Sequence, residues 1–110
     1  MRLKLGRPDL GAYSSYFDVP AASPSAPLTV AWGGVTTLLV DDGDSAVMTD
    51  GFFSRPSLLT VAARPITPSR HRIDAGLSQL GVNRLDAVVP VHTHFDHAMD
   101  SAVVAAVTDA

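Results

Sequence analysis

The chain has 110 residues, 46% apolar and 17% charged: enough for one small hydrophobic core, and too little charge for a disordered chain. All 11 acidic residues are Asp and seven of the eight basic residues are Arg, and the formal charge of -3 argues against a general nucleic-acid binder. The lack of cysteine excludes disulfides, thiolate metal sites and a thiol nucleophile, and no apolar run reaches the roughly 18 residues of a membrane-spanning helix.

Met1 to Pro8 carries positive charge with no apolar stretch behind it, so it does not read as a secretory signal. The expectation is a soluble, cytoplasmic protein with no membrane partner. Residues 1–27 have weak periodicity and read as an N-terminal arm ending in the connector Pro20-Ala21-Ala22-Ser23-Pro24-Ser25-Ala26-Pro27, expected to be extended. Tyr13, Tyr16 and Phe17, just before it, are candidates to pack onto the body. Residues 28–110 form the domain proper.

From Leu28 the pattern turns β-branched and apolar: Leu28 to Trp32, then Val35 to Val40 after Gly33-Gly34, then Ser45 to Thr49 after Asp42-Gly43. Two or three antiparallel strands are expected over residues 28–50, with Asp-Gly in a type I′ turn that needs positive φ at both central positions. Residues 51–72 hold Pro56, Pro65, Pro68 and four arginines with no acid, and read as a loop. Asp74 reads as the N-cap of a short helix through Leu77 and Leu80, closed by Gly81. Asp86 to Val91 is a short run of buried-strand type, although Pro90 counts against it because proline cannot donate to a sheet ladder. Ala98 to Val107 is an Ala/Val-rich helix. The order predicts an α/β fold, or α+β layers. The chain stops just after this apolar helix and reads as cut.

Three of the four histidines lie in His92-Thr93-His94-Phe95-Asp96-His97, after the apolar run and before the helix. In an extended segment, side chains at i and i+2 share a face, so His92 and His94 can converge on one ion. Asp96 and His97 sit where the chain turns into the helix and can be re-aimed towards a second ion. Imidazole and carboxylate suit zinc and related divalent metals. The alternative is a polar loop of solvated histidines; four candidate ligands in six residues argue against it. His71, alone among the arginines, reads as solvent-facing.

His-x-His-x-Asp-His after a buried strand resembles the signature of the metallo-β-lactamase-fold hydrolases, and Thr49-Asp50-Gly51-Phe52 resembles that superfamily's Asp-containing strand end. The resemblance implies the N-terminal half of an αββα sandwich and a hydrolase whose water is activated by a binuclear site. The substrate would be a small ester, thioester, lactone or phosphodiester. It implies up to two zinc ions, with iron or manganese as alternatives, His92 and His94 at the first site, and Asp96 and His97 at the second. Asp96 would also orient the nucleophile as the catalytic residue. Asp50 would orient a ligand histidine by hydrogen bonding; the alternative for it is an ordinary turn carboxylate. The family completes its site with another His, a bridging Asp and a final His later in the chain. Here no histidine follows His97, and Asp100 and Asp109 are the only later acids. Asp100 either reaches the site or serves as a first-turn carboxylate favoured by the helix dipole.

The chain therefore reads as a truncated front half, and a non-catalytic fragment with weak metal binding is the alternative function. Two ligands per site and an uncovered half-core would leave these residues with little turnover and prone to self-association. In the resembling fold residues 51–72 lie near the metal cleft, so Arg55 and Arg70, with Arg64 and Arg72, would favour an anionic substrate. A solvated basic loop is the alternative there.

Overall fold

The structure is a computed structural model that describes residues 10–17 and 23–110. Strands β1 (Thr29–Gly34), β2 (Thr37–Asp41), β3 (Ala46–Thr49) and β4 (Ala87–Val89) form one sheet in that order. The first three pair antiparallel, and β4 joins parallel to β3. A parallel neighbour needs a long crossover, here the helices α2 (Leu58–Ala63) and α3 (Arg70–Gln79). Two short helices, α4 (Phe95–Ala98) and α5 (Ser101–Thr108), follow β4, and a single-turn helix α1 (Ser14–Phe17) precedes the sheet. The α/β class is as expected.

Alternation along the strands builds the core. Ala31, Leu39, Met48 and Val88 stand in one row across the sheet, and Ile73 and Leu77 of α3 and Val104 of α5 complete the cluster. Met48, Ile73, Leu85 and Val104 are fully buried, worth roughly 1.5–3 kcal/mol each. Phe53 joins them because α3 carries Gly76 where its ring passes: a Cβ at that position would overlap the ring.

The opposite face of the sheet is also apolar. Val30, Val40 and Val47 form one row, and Trp32 and Leu38 stand opposite each other in the next. Val30 and Trp32 are about three-fifths exposed (61% and 59%), and Leu38, Val47 and Val89 are exposed as well.

The turns and helix ends depart from expectation in instructive ways. Only Gly43 has positive φ in the β2–β3 connection, so no type I′ turn forms. Instead the Asp42 carboxylate accepts the main-chain N–H groups of Ser45 (2.7 Å) and Asp44 (3.0 Å), which holds its pKa below the usual value. The two-residue turn is Val35-Thr36, with Gly34 and Val35 both at positive φ. Residues 51–72 are not a plain loop: Ser57 caps α2, its hydroxyl accepting from Thr60 N. Helix α3 begins five residues before the expected start, with Ser69 at the N-cap, and Asp74 lies inside it, paired with Arg70 at 2.7 Å. Its end is as expected. Gly81 (φ 70°) follows the last turn, with Gly81 N–H donating to Ser78 O and Val82 N–H to Leu77 O, the paired bonds of a Schellman motif. Strand β4 stops before Pro90.

The expected helix over 98–107 is split at Met99-Asp100. The connector makes a turn at Ser23–Ala26, Ala26 N–H donating to Ser23 O (2.9 Å), so it is not extended throughout; Pro20, Ala21 and Ala22 lie outside the described residues, as does most of the arm. Tyr16 is largely exposed. Of Tyr13 and Phe17 only the backbone is described.

Exposed apolar patches beyond a few hundred Å² promote association. The variant Val30→Lys/Val47→Thr should therefore run at lower apparent mass than the unchanged chain in size-exclusion chromatography with light scattering. Equal masses for the two would show that this sheet face drives no association.

Candidate metal centre

The centre is built on a sharp bend at the end of β3. Asp50 (φ 54°) and Gly51 (φ 70°) both take the left-handed conformation, which Asp tolerates better than most side chains and Gly adopts freely. The bend tucks Gly51 against α5, where an added Cβ would lie 3.0 Å from Val104. It also turns the Asp50 side chain inward, fully buried.

Every group around Asp50 binds it. Asp50 N–H continues the β3–β4 ladder to Val89 O (3.1 Å), and Ser101 Oγ donates to Asp50 O (2.6 Å). Val91 N–H donates to Oδ1 (2.8 Å), and the Thr36 hydroxyl donates to Oδ2. His97 Nδ1 lies 2.7 Å from the same Oδ2. Burial raises the Asp50 pKa, but the Thr36 and Val91 hydrogen bonds, with the hydrogen bond and charge of His97, outweigh it and hold the pKa below the usual value.

Those bonds fix the imidazole. The carboxylate at Nδ1 calls for a proton on that nitrogen and leaves the Nε2 side of the ring turned towards the neighbouring donors. His97 Nε2 lies 3.8 Å from Asp96 Oδ2, and its ring centroid is 3.9 Å from that of His92. His92, Asp96 and His97 each present one ligand atom, all within 4.8 Å of one another, so this group could hold a metal ion. Zinc takes nitrogen and carboxylate donors at about 2.0–2.2 Å, so two donors on one ion stand no more than about 4.4 Å apart, and binding would draw the widest pair inward. The donor chemistry fits a divalent ion.

The three-donor group joins His92 to Asp96 and His97, across the two pairs that the sequence suggests. Strand β4 ends at Val89 and residues 91–94 bend, so the i, i+2 rule does not govern them. His94 stands at the N-cap of α4 with its ring edge-on to His92 (centroids 4.7 Å), outside the three-residue group. Arg55 and Arg70 are not part of the group either. Arg70 pairs with Asp74, and Arg55 donates to Phe52 O (3.2 Å) and to Gly33 O, its guanidinium lying where Gly34 has no side chain.

Asp100 is a residue whose role the sequence did not disclose. It neither joins the metal group nor makes a side-chain cap on its own helix. It is fully buried and accepts from Phe53 N (2.8 Å), Ser54 N (2.6 Å) and Ser54 Oγ (2.7 Å), which pins the segment after Asp50 to the start of α5. Only the i, i+4 spacing from Asp96 marks it in the sequence, and that spacing does not say which way it points.

Compared with protein-family models, with curated proteins and with solved structures, the chain matches none. The class that fold and site define is an α+β domain with a His/Asp group at the ends of two parallel strands. None of the three residues of that group lines the 510 Å³ cleft beside Arg55 and Gly76 or the 610 Å³ cleft beside Ser57 and Arg64.

Two outcomes follow. In equilibrium dialysis with elemental analysis, His92→Ala and His97→Ala should each weaken zinc binding by at least tenfold, Asp50→Asn by roughly 10–100-fold, and His94→Ala by less than either single-ligand loss. Full zinc content in His97→Ala would remove the assignment. The second outcome concerns acid. Because Asp50's pKa is lower in the folded state, its stabilisation is complete above the unfolded value of about 3.9 and is lost as pH falls through the folded value. Asp50→Asn should cost about 1–3 kcal/mol at pH 7 and flatten the loss of stability between pH 5 and 2, measured by urea unfolding across that range. An unchanged acid profile would show that Asp50 is not the titrating group.

Proposed function

We propose that the His92–Asp96–His97 group holds zinc and that the chain is a metal-dependent hydrolase of the metallo-β-lactamase type, acting on an ester, thioester, lactone or phosphodiester. The observation that carries this reading is the Asp50–His97 pair. A fully buried carboxylate holds Nδ1 of a histidine whose Nε2 lies 3.8 Å from Asp96 and whose ring belongs to a three-donor group with His92. Carboxylate–histidine pairs of this kind are the usual support of a metal-binding imidazole. Three protein donors in one group, rather than two at each of two sites, are also what a catalytic zinc ordinarily has.

Held by His92, Asp96 and His97, a divalent ion would supply Lewis acidity and a more acidic water. The residues do the rest. His92 and His97 bind through ring nitrogen, and Asp50 and Thr36 keep His97 from rotating. Asp96, about half exposed at its side chain (45%), offers one carboxylate oxygen to the group and the other to an incoming water as a hydrogen-bond acceptor. Phe95, partly exposed and edge-to-face with Phe52 (centroids 6.3 Å), gives the site an apolar shoulder. His94 is the donor left over for a second ion. A non-catalytic metal site is the second reading, favoured by the exposure of His92.

Zinc-loaded chain, assayed on generic ester, thioester, lactone and phosphodiester substrates, should turn over at least one of them. The activity should vanish with a chelator, return with added zinc, and fall at least a hundredfold in His97→Ala. Turnover that persists in His97→Ala would refute the site. Stoichiometric zinc with no turnover on any of the four would favour the second reading.

A further inference from the structure

The four arginines of residues 51–72 are treated unequally by the fold. Arg70 is neutralised by Asp74 at 2.7 Å. Arg55 spends its guanidinium on the main-chain carbonyls of Phe52 and Gly33. Arg72 is anchored at one nitrogen only: Nη1 donates to Ser54 O (2.6 Å) and Arg55 O (3.2 Å). Those bonds use the protons of Nη1. They leave Nε and Nη2, which together form the side-on fork of a guanidinium, without a partner among the described residues. Arg64's side chain makes no hydrogen bond or ion pair among the described residues. Carbonyl partners orient a guanidinium and leave its charge whole.

Arg64 and Arg72 line one cleft of about 610 Å³ between α2 and the start of α3. Hydroxyls on the same wall have protons to spare. Ser57 Oγ and Thr60 Oγ1 lie 2.9 Å apart, so one of their protons closes that bond and the other is free to donate outward. The hydroxyls of Thr67 and Ser69 make no hydrogen bond among the described residues. No acidic residue lines the cleft. Asp100 lies behind Ser54, fully buried, with its oxygens taken by Phe53 and Ser54, and Asp74 is spent on Arg70. Uncompensated guanidiniums on one concave wall repel each other, and the low-dielectric wall focuses their field outward. Such a cleft is completed by a ligand made of acceptors that matches the charge of both arginines. A phosphomonoester does so, with three terminal oxygens and a charge of about -1.5 to -2 at neutral pH. A carboxylate brings a single charge and one oxygen fewer.

We infer that this cleft binds the phosphate of a small phosphomonoester, separately from the His92–Asp96–His97 group. The free fork of Arg72 takes two phosphate oxygens side by side, Arg64 closes on the phosphate from the α2 side, and the Thr67 and Ser69 hydroxyls add donors. Pro56, Pro65 and Ile66 give the same cleft an apolar wall whose prolines fix the backbone, and the carbon body of the ligand lies there. A cavity of this size exceeds a bare phosphate, so the ligand is an ester rather than the free ion.

The full chain, freed of metal by a chelator, is titrated by calorimetry with phenyl phosphate, inorganic phosphate, phenol and acetate, with phosphorus NMR line width as a second readout. Phenyl phosphate should bind roughly tenfold or more tightly than phenol or acetate, and roughly threefold or more tightly than inorganic phosphate. Arg64→Gln, which removes no side-chain hydrogen bond within the fold, should weaken phenyl phosphate binding roughly fivefold or more. His97→Ala should leave it unchanged, so that failure of the metal site and failure of the cleft are read separately. No binding of either phosphate, acetate or phenol bound as tightly as phenyl phosphate, an Arg64→Gln affinity within about twofold of the original, or loss of binding in His97→Ala would each overturn the proposal. Equal affinity for inorganic and phenyl phosphate would overturn the ester in favour of the free ion.

Discussion

One buried carboxylate organises this molecule. Asp50 collects hydrogen bonds from the β1–β2 turn through Thr36, from the end of β4 through Val91, and from α4 through His97, while its carbonyl takes the hydroxyl of Ser101 on α5. Four segments distant in sequence are thus referred to one residue. A buried charge is tolerable only when it is so completely satisfied, since a half-satisfied one costs more than an apolar substitute. The left-handed backbone at Asp50 and Gly51 is what points the carboxylate at all these donors together.

A second buried carboxylate completes the arrangement from the other side. Asp100 holds the main-chain N–H groups of Phe53 and Ser54, so the chain leaving β3 is gripped at residue 50 and again three to four residues later. That grip explains the break between α4 and α5. Asp100 faces the 53–54 segment instead of continuing one helix through residues 95–108, and Ser101 then reaches the carbonyl of Asp50. Ser54 passes the connection onward, its hydroxyl donating to Asp100 and accepting from Ser69 N–H at the start of α3. The metal group and the arginine cleft are therefore tied to a common frame without sharing residues.

How much of this could be read from the sequence depended on the range of the forces involved. Strand propensity is local, so the three antiparallel strands over residues 28–50 were legible, and Gly81 was legible as a helix stop. The density of ligands at His92–His97 was legible, as was the class of fold. Tertiary competition decided the rest. Ser69 starts α3 because its N–H is anchored by Ser54, a contact across fifteen positions that local capping rules cannot supply. Asp42 uses its carboxylate to close its own turn, which displaced the Asp-Gly geometry. His92 lies beside both His94 and His97, and the three-donor group with Asp96 depends on a bend after β4 that nothing in the spacing encodes.

Gly76 carries a consequence for how the sequence can change. Inside a helix an alanine is favoured over glycine by about 1 kcal/mol, yet a Cβ there would overlap the Phe53 ring, itself part of the core. The two positions are thus coupled in a non-additive way. A side chain at 76 becomes acceptable only once the ring at 53 has been made smaller, and a smaller residue at 53 leaves a void that a side chain at 76 would fill. Substitution at 76 is therefore open only by way of 53, and in that order.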